Sequence, residues 1–279
     1  MKTSWGKVAG WYDELLEKHE GTYQKEVILP NLIRIMGFRS GNSGKGLPMP
    51  SGETTVLDLA CGQGFFSREL ARLGLKVIAS DIAKELIEIA RTNPDPVTKN
   101  ITYHIASASD LSFCPSARVD VVTIVLALQN IEDLTAVMQE CARVLKRPSL
   151  VQPHSAGKLF IVLNHPAFRI PKRSSWQWDH VGKPGAGTQY RCIDAYMSES
   201  RERIDMTPGE DRATSKKYTA SFHRPLQVYF KALTKAGFVV SRLEEWVSHK
   251  QSKPGPRADE ENRIRKEIPM FLALEARLS

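Results

Sequence analysis

Residues 56 to 66 read VLDLACGQGFF: an apolar run carrying a single acid, Asp58, followed at once by Gly62 and Gly64. Glycine permits a tight turn and lets backbone N–H groups approach a ligand closely. A carboxylate inside the run can hold a cation or a hydrogen-bond donor. The next apolar run, LKVIASD, ends in Asp81, where a carboxylate can accept both hydroxyls of a ribose. Two carboxylates flanking a glycine turn suit a nucleoside that also carries positive charge, and suit a pyrophosphate badly. A dinucleotide fingerprint would place its third glycine where Ser67 stands.

The elements that must position these residues alternate regularly. TVLDLA, LKVIASD, NITYHIA, ARVDVVTIVLAL and GKLFIVLN read as strands. Between them, FFSRELARLG and AKELIEIARTN read as amphipathic helices, closed by Gly74 and by Pro94. EDLTAVMQECARVL is a third, with Leu134, Val137, Met138, Cys141, Val144 and Leu145 on one face. Such alternation implies right-handed crossovers and a doubly wound α/β domain, with its ligand beyond the carboxyl ends of the strands.

Residues 1–53 form an N-terminal helical cap and linker. The cap is one or two helices from Val8 to Met36, with breaks expected at Gly21 and Pro30. Its linker contains GNSGKG, but a phosphate loop would need Gly where Arg39 stands and Ser or Thr where Gly46 stands. Residues 54–165 form the core. In 166–222 the alternation stops, and the short runs QYRCIDAYM and KKYTASFH are expected to pair as an antiparallel flap, an inserted lid. Residues 223–279 resume the core with the helix PLQVYFKALTKAGF and the strands VVSRLEEW and IPMFLALEARL.

The whole chain has 279 residues and a formal net charge of +8. Its Lys and Arg are spread along the sequence beside Glu and Asp, as in KPGPRADEENRIRKE (253–267), which reads as solvated surface rather than a nucleic-acid stripe. The four cysteines lack metal or redox spacing and read as reduced thiols of a cytoplasmic protein. No apolar run approaches membrane-spanning length.

VLDLACGQG, then IASDIA, HIASASDLSF and VDVVTIVLALQNIED before ECARVLK, resemble the successive motifs of class I S-adenosylmethionine-dependent methyltransferases. The similarity covers roughly residues 54 to 164, and the ending AGFVVSRLEEW…IPMFLALEARL is similar to their last helix and two strands. The resemblance implies a Rossmann-like, seven-stranded mixed sheet with helices on both faces and an antiparallel last strand. It implies S-adenosyl-L-methionine as cofactor, S-adenosyl-L-homocysteine as product, and no metal.

It also implies roles. Asp58 would face the methionine amino group, the backbone of Ala60, Cys61, Gly62 and Gly64 would surround the methionine moiety, and Asp81 would hold the ribose. Ile82 would pack on the adenine, Ala108 and Ser109 would meet its edge, and Val125 and Leu126 would lie beneath the reacting methyl. The third motif usually carries an acid where Ser107 stands, the next acid being Asp110, so adenine recognition falls to Ser107 or backbone.

The acceptor is expected to be a small molecule, methylated on oxygen or nitrogen, with O-methylation favoured. The alternatives are methylation of RNA or protein, and a non-catalytic interaction protein on the same fold. The (D/N)PP(Y/F) motif of nucleic-acid amino methyltransferases has no counterpart in LALQNIED. Specificity should lie in the cap and the insertion, whose aromatics Trp5, Trp11, Tyr12, Tyr23, Trp176 and Trp178 can roof a pocket; Tyr12, Tyr23, Asn164 and Trp176 are candidate acceptor contacts. His165 in NHP and His223 in FHRP are the candidate general bases. The expected assembly is a monomer or homodimer, without a specific nucleic-acid or membrane partner.

Overall fold

Along each core strand, neighbouring side chains point to opposite faces, and both faces are covered. Val56, Val77, Phe160 and Val162 meet the N-terminal helices on one side, while Leu57, Val122, Leu159 and Ile161 meet the later helices on the other. This is why the strands read as unbroken apolar runs rather than as alternating ones. A computed structural model of the chain describes residues 5–10, 13–14, 20–38, 54–148, 156–179, 187–206 and 218–279.

Strands β1 (Thr55–Leu59), β2 (Lys76–Asp81), β3 (Ile101–Ile105), β4 (Val121–Val125) and β5 (Lys158–Asn164) join β10 (Phe238–Trp246) and β11 (Phe271–Leu278) in one seven-stranded sheet of order β10-β11-β5-β4-β1-β2-β3. The first five run parallel, and β11 is antiparallel to both its neighbours. Helices α1 (Leu29–Met36), α2 (Phe65–Arg72) and α3 (Lys84–Thr92) precede α4 (Leu134–Val144) and α5 (Leu226–Lys235). This is the mixed α/β architecture that the alternation and the resemblance implied.

Two local expectations are corrected. Pro30 does not break the cap: a π-helical stretch, Gln24–Ile28, leads directly into α1 with Pro30 in its first turn. The runs QYRCIDAYM and KKYTASFH do not pair with each other. The first forms β7 (Gln189–Ile193), antiparallel to β6 (Ser174–Trp178), and the second forms β9 (Tyr218–His223), antiparallel to β8 (Ser200–Asp205). The charged stretch 253–267, expected as solvated surface, holds a further helix, α6 (Ala258–Glu267), in which only Ile264 is buried. There Glu260 accepts the Gln189 N–H at 2.7 Å and Arg257 lies over the Trp178 ring, so α6 braces the β6–β7 ladder.

The second ladder reaches the rim of the sheet. β9 packs against the 3-10 turn Leu128–Asn130 that follows β4. Arg224, just after β9, donates to the carbonyls of Ile131 and Glu132 at 2.9 and 2.6 Å. Tyr196 Oη accepts the Leu226 N–H at 3.0 Å and so caps α5, whose N-cap residue is Pro225 and supplies no side-chain bond. Among the described residues no helix is long and apolar enough to cross a membrane.

Candidate active site

β1 and β2 lie in register, with Asp58 opposite Ala79 and Leu59 opposite Ser80, so their carboxyl ends open at the same rim. The chain leaves β1 through left-handed backbone: Ala60, Gly62 and Gly64 have φ of 56°, 59° and 83°, and Leu126, leaving β4, has 53°. For Ala60 and Leu126 that conformation costs about 1–3 kcal/mol each. Both line one cavity of about 400 Å³, within the range of small-molecule sites.

Asp58 and Asp81 are both buried at this cavity. Asp58 Oδ2 accepts from Ser67 Oγ at 2.5 Å, and Oδ1 from Thr123 Oγ1 at 3.1 Å. Burial pushes the Asp58 carboxyl up to about 6, against the pull of the two hydroxyls, and the nearby Asp81 adds to the rise. Asp81 accepts the Gly62 N–H at 2.9 Å and the Ala83 N–H at 2.8 Å, which ties the glycine turn to the end of β2. Burial raises its pKa as well, partly offset by those backbone donors.

Of the other expected cofactor residues, Ala60, Cys61 and Gly62 line the floor of the cavity, Ile82, Ser107, Ala108 and Ser109 one wall, and Val125 and Leu126 the end of β4. Ser107 and Ser109 bond each other through their hydroxyls at 2.8 Å. Asp110 is exposed and accepts from the Ser112 N–H at 3.2 Å, outside the cavity lining.

Gly64 does not line the cavity; it is the N-cap of α2. A Cβ there would stand 2.8 Å from Tyr103 Oη and 3.2 Å from Ala90 Cβ. Gly64→Ala is therefore expected to lose about 2–3 kcal/mol, from the positive φ and the overpacking together, seen as a lower midpoint in urea. An unchanged midpoint would show that this turn relaxes freely.

Several lining residues had no place in the sequence reading. Leu86 lies in the first turn of α3, Phe65 and Phe66 open α2, and Asn130 to Asp133 follow β4. Leu86 carries the same apolar signal as any helix position, so periodicity alone does not separate it from core. Trp5 sits in a 3-10 turn, Trp5–Val8, against Ala83 and Leu86, and reaches the cavity from the N-terminal segment.

A second cavity of about 410 Å³ shares Trp5, Leu126 and Asn130 with the first. Asn164 lines it, together with Arg169 and Ser174 after β5, and with Arg191 and Thr219 of the inserted strands. The other acceptor candidates lie elsewhere. Tyr23 packs edge-on against Phe271 with its hydroxyl 3.1 Å from Ser248 Oγ, Trp176 is an exposed residue of β6 beneath Arg191, and Tyr12 lies outside the described residues.

The two histidines differ. His165 Nδ1 accepts the Ala167 N–H at 3.2 Å and Nε2 bonds Glu245 Oε1 at 2.7 Å. Both nitrogens are engaged, the ring borders none of the three cavities described here, and burial lowers its pKa. His223 Nε2 donates to the Tyr196 carbonyl at 2.8 Å. Its ring borders a small third cavity of about 40 Å³, whose lining shares Asn164 and Arg169 with the second.

Residues 56–148 match a family model described as a methyltransferase domain. A ubiquinone biosynthesis O-methyltransferase of Xanthomonas oryzae pv. oryzae is 37% identical over 106 residues, which is 38% of this chain and 41% of that protein. The chain thus spans about two fifths of the length of the curated relatives it matches. An S-adenosylmethionine-dependent methyltransferase from Mesorhizobium loti shares the fold over 91% of this chain and 99% of its own, at 24% identity and a TM-score of 0.62. The glycopeptide N-methyltransferase MtfA, solved with S-adenosylmethionine, does so over 82% and 89%, at 16% identity and 0.52. With these matches, residues 56–148 carry the pattern of a methyltransferase domain, and the strand order around the glycine turn between two buried acids is the fold of S-adenosylmethionine-dependent methyltransferases.

Proposed function

We propose that this chain is a methyltransferase that moves a methyl group from S-adenosylmethionine to an oxygen or nitrogen atom of a small-molecule acceptor, with oxygen favoured. The observation that carries the reading is the pair of buried carboxylates at adjoining strand ends, around a left-handed glycine turn, in a cavity that shares a wall with a second one. The name borne by the Xanthomonas relatives favours oxygen.

The donor set suits the cofactor. Each Asp81 oxygen holds one backbone donor and keeps acceptor capacity for a ribose hydroxyl. Asp58 offers negative charge to an ammonium group, Ile82, Leu86 and Ala108 offer apolar surface to a base, and Ser107 and Ser109 offer hydroxyls at its edge. When bound, S-adenosylmethionine supplies an electrophilic methyl carbon on a sulfonium and leaves as S-adenosylhomocysteine.

The chain's own contribution is alignment and exclusion of water. Trp5, Leu126 and Asn130 stand where the two cavities meet and set the approach of the acceptor atom. The inserted strands act as a lid over the second cavity. Of the two candidate bases His223 is the less engaged, since its Nδ1 holds no bond among the described residues while both nitrogens of His165 do, but neither lines the two large cavities, so alignment rather than a histidine base carries the transfer in this reading. In this reading the protein works in the cytoplasm, as monomer or homodimer, without metal or a specific nucleic-acid partner.

Calorimetry should show one molecule of S-adenosylmethionine, and one of S-adenosylhomocysteine, bound per chain in metal-free buffer. No detectable binding of either would overturn the proposal.

A further inference from the structure

The second cavity is lined by apolar side chains such as Ile170, Pro171, Ile204 and Met206, and by two cations, Arg169 and Arg191. Neither arginine has a carboxylate partner among the described residues, although Arg173 pairs with Asp194 and Lys172 with Glu202 close by in the same insertion. Arg169 Nη1 donates to Asn164 Oδ1 at 2.8 Å. Arg191 donates through Nε to the Phe168 carbonyl at 2.8 Å and through Nη2 to Ser174 Oγ at 2.6 Å, with its guanidinium over the Trp176 ring. These neutral partners hold the two side chains in place and leave Nε and Nη2 of Arg169 and Nη1 of Arg191 without a bond to any described residue. Arg169 also reaches the third cavity, beside His223.

Two unpaired cations held together in a cleft are costly unless an anion joins them. Burial disfavours the charged form of both arginines, and the charge of Arg191 disfavours that of Arg169 further. A guanidinium fork binds carboxylate or phosphate in two-point fashion, with charge-assisted bonds about twice as strong as neutral ones. The placement is directional as well. Trp5, Leu126 and Asn130 line both large cavities, whereas the arginines line the second and not the first.

We propose, resting on the methyltransferase reading, that the acceptor is an organic anion whose carboxylate or phosphate head is anchored by Arg169 and Arg191, with its apolar body directed toward Leu126 and the cofactor cavity. The anion is an anchor and not the methylated atom. Clamped by two guanidinium groups that line the second cavity and not the first, its oxygens are kept out of the cofactor cavity and weakened as nucleophiles. The atom that receives the methyl group is carried at the other end of the molecule.

The test uses the full chain saturated with S-adenosylhomocysteine and two probes of equal size, 4-hydroxybenzoate and 4-hydroxybenzamide, with phenyl phosphate to separate the two head groups. By calorimetry the benzoate or the phosphate should bind at least tenfold more tightly than the amide, and the preference should shrink as salt is added. Arg169→Gln and Arg191→Gln should each remove most of that preference, Arg169→Lys should retain part of it, and S-adenosylhomocysteine affinity should stay within about twofold of wild type in all three. Equal binding of charged and neutral probes, or no binding of either anion at millimolar concentration, overturns the inference while normal cofactor binding leaves the methyltransferase reading standing. Loss of cofactor affinity in the glutamine variants also overturns it, by assigning the arginines to the cofactor's own carboxylate. If one variant fails to fold, the other and the salt titration of the wild type still decide.

Discussion

Asp81→Ala should weaken S-adenosylmethionine binding by about ten- to a hundredfold, the loss of charge-assisted hydrogen bonds worth roughly 1.5 to 3 kcal/mol. The carboxylate is buried at the end of β2, and its two oxygens already accept from Gly62 and Ala83 at 2.9 and 2.8 Å. Alanine would therefore remove the ribose acceptor and also release the glycine turn from β2. The two effects separate in a cycle with adenosine and 2′-deoxyadenosine. In the wild type the missing hydroxyl should cost affinity; in Asp81→Ala it should cost almost nothing more, because its partner is gone. An equal cost in both proteins would assign Asp81 to the turn alone, and wild-type affinity in the variant would remove it from the site.

The core was legible because its signals are local. An unbroken apolar run such as VLDL or KLFIVLN is what a strand buried on both faces must be, and a glycine pair next to an acid marks a turn with a ligand-facing end. The inserted segment was legible only in part, because its strands answer to neighbours rather than to their own periodicity. β6 is SSWQW, with two aromatics beneath Arg191 and Arg257, and β8 is SRERID, charged nearly throughout; each exists by pairing with a partner strand.

Side-chain engagement was not legible at all. NHP and FHRP look alike as candidate bases, and only the fold shows that Glu245, eighty residues away, has taken one nitrogen of His165. Likewise nothing in HPAFRIPKRSS or QYRCIDA distinguishes Arg169 and Arg191 from the solvated arginines around them. Their meaning lies in sharing a cavity that has no acid among its described lining residues.

Asp58 has two hydroxyl donors but no cationic partner among the described residues, and burial pushes its carboxyl up to about 6. A ligand bearing an ammonium and a sulfonium favours the ionised carboxylate, so binding competes with protonation. The apparent affinity for S-adenosylmethionine should be nearly constant above pH 7, fall about twofold by pH 6 and about tenfold by pH 5. In the ligand-free protein the same group acts the other way. Its folded pKa lies above the usual carboxylate range, so the ionised form costs stability above pH 6, on the order of 3 kcal/mol, and that cost fades as pH falls from 6 toward 4. Acid should thus weaken the complex while relieving the empty protein at this position. Thr123→Val removes one of the donors that pull the pKa down and should move the affinity midpoint upward; Asp58→Asn should bind weakly with a flat profile over the same interval. If wild-type affinity is the same at pH 5 and pH 7, Asp58 does not face the cofactor's positive charge, and its place between Ser67 and Thr123 is structural.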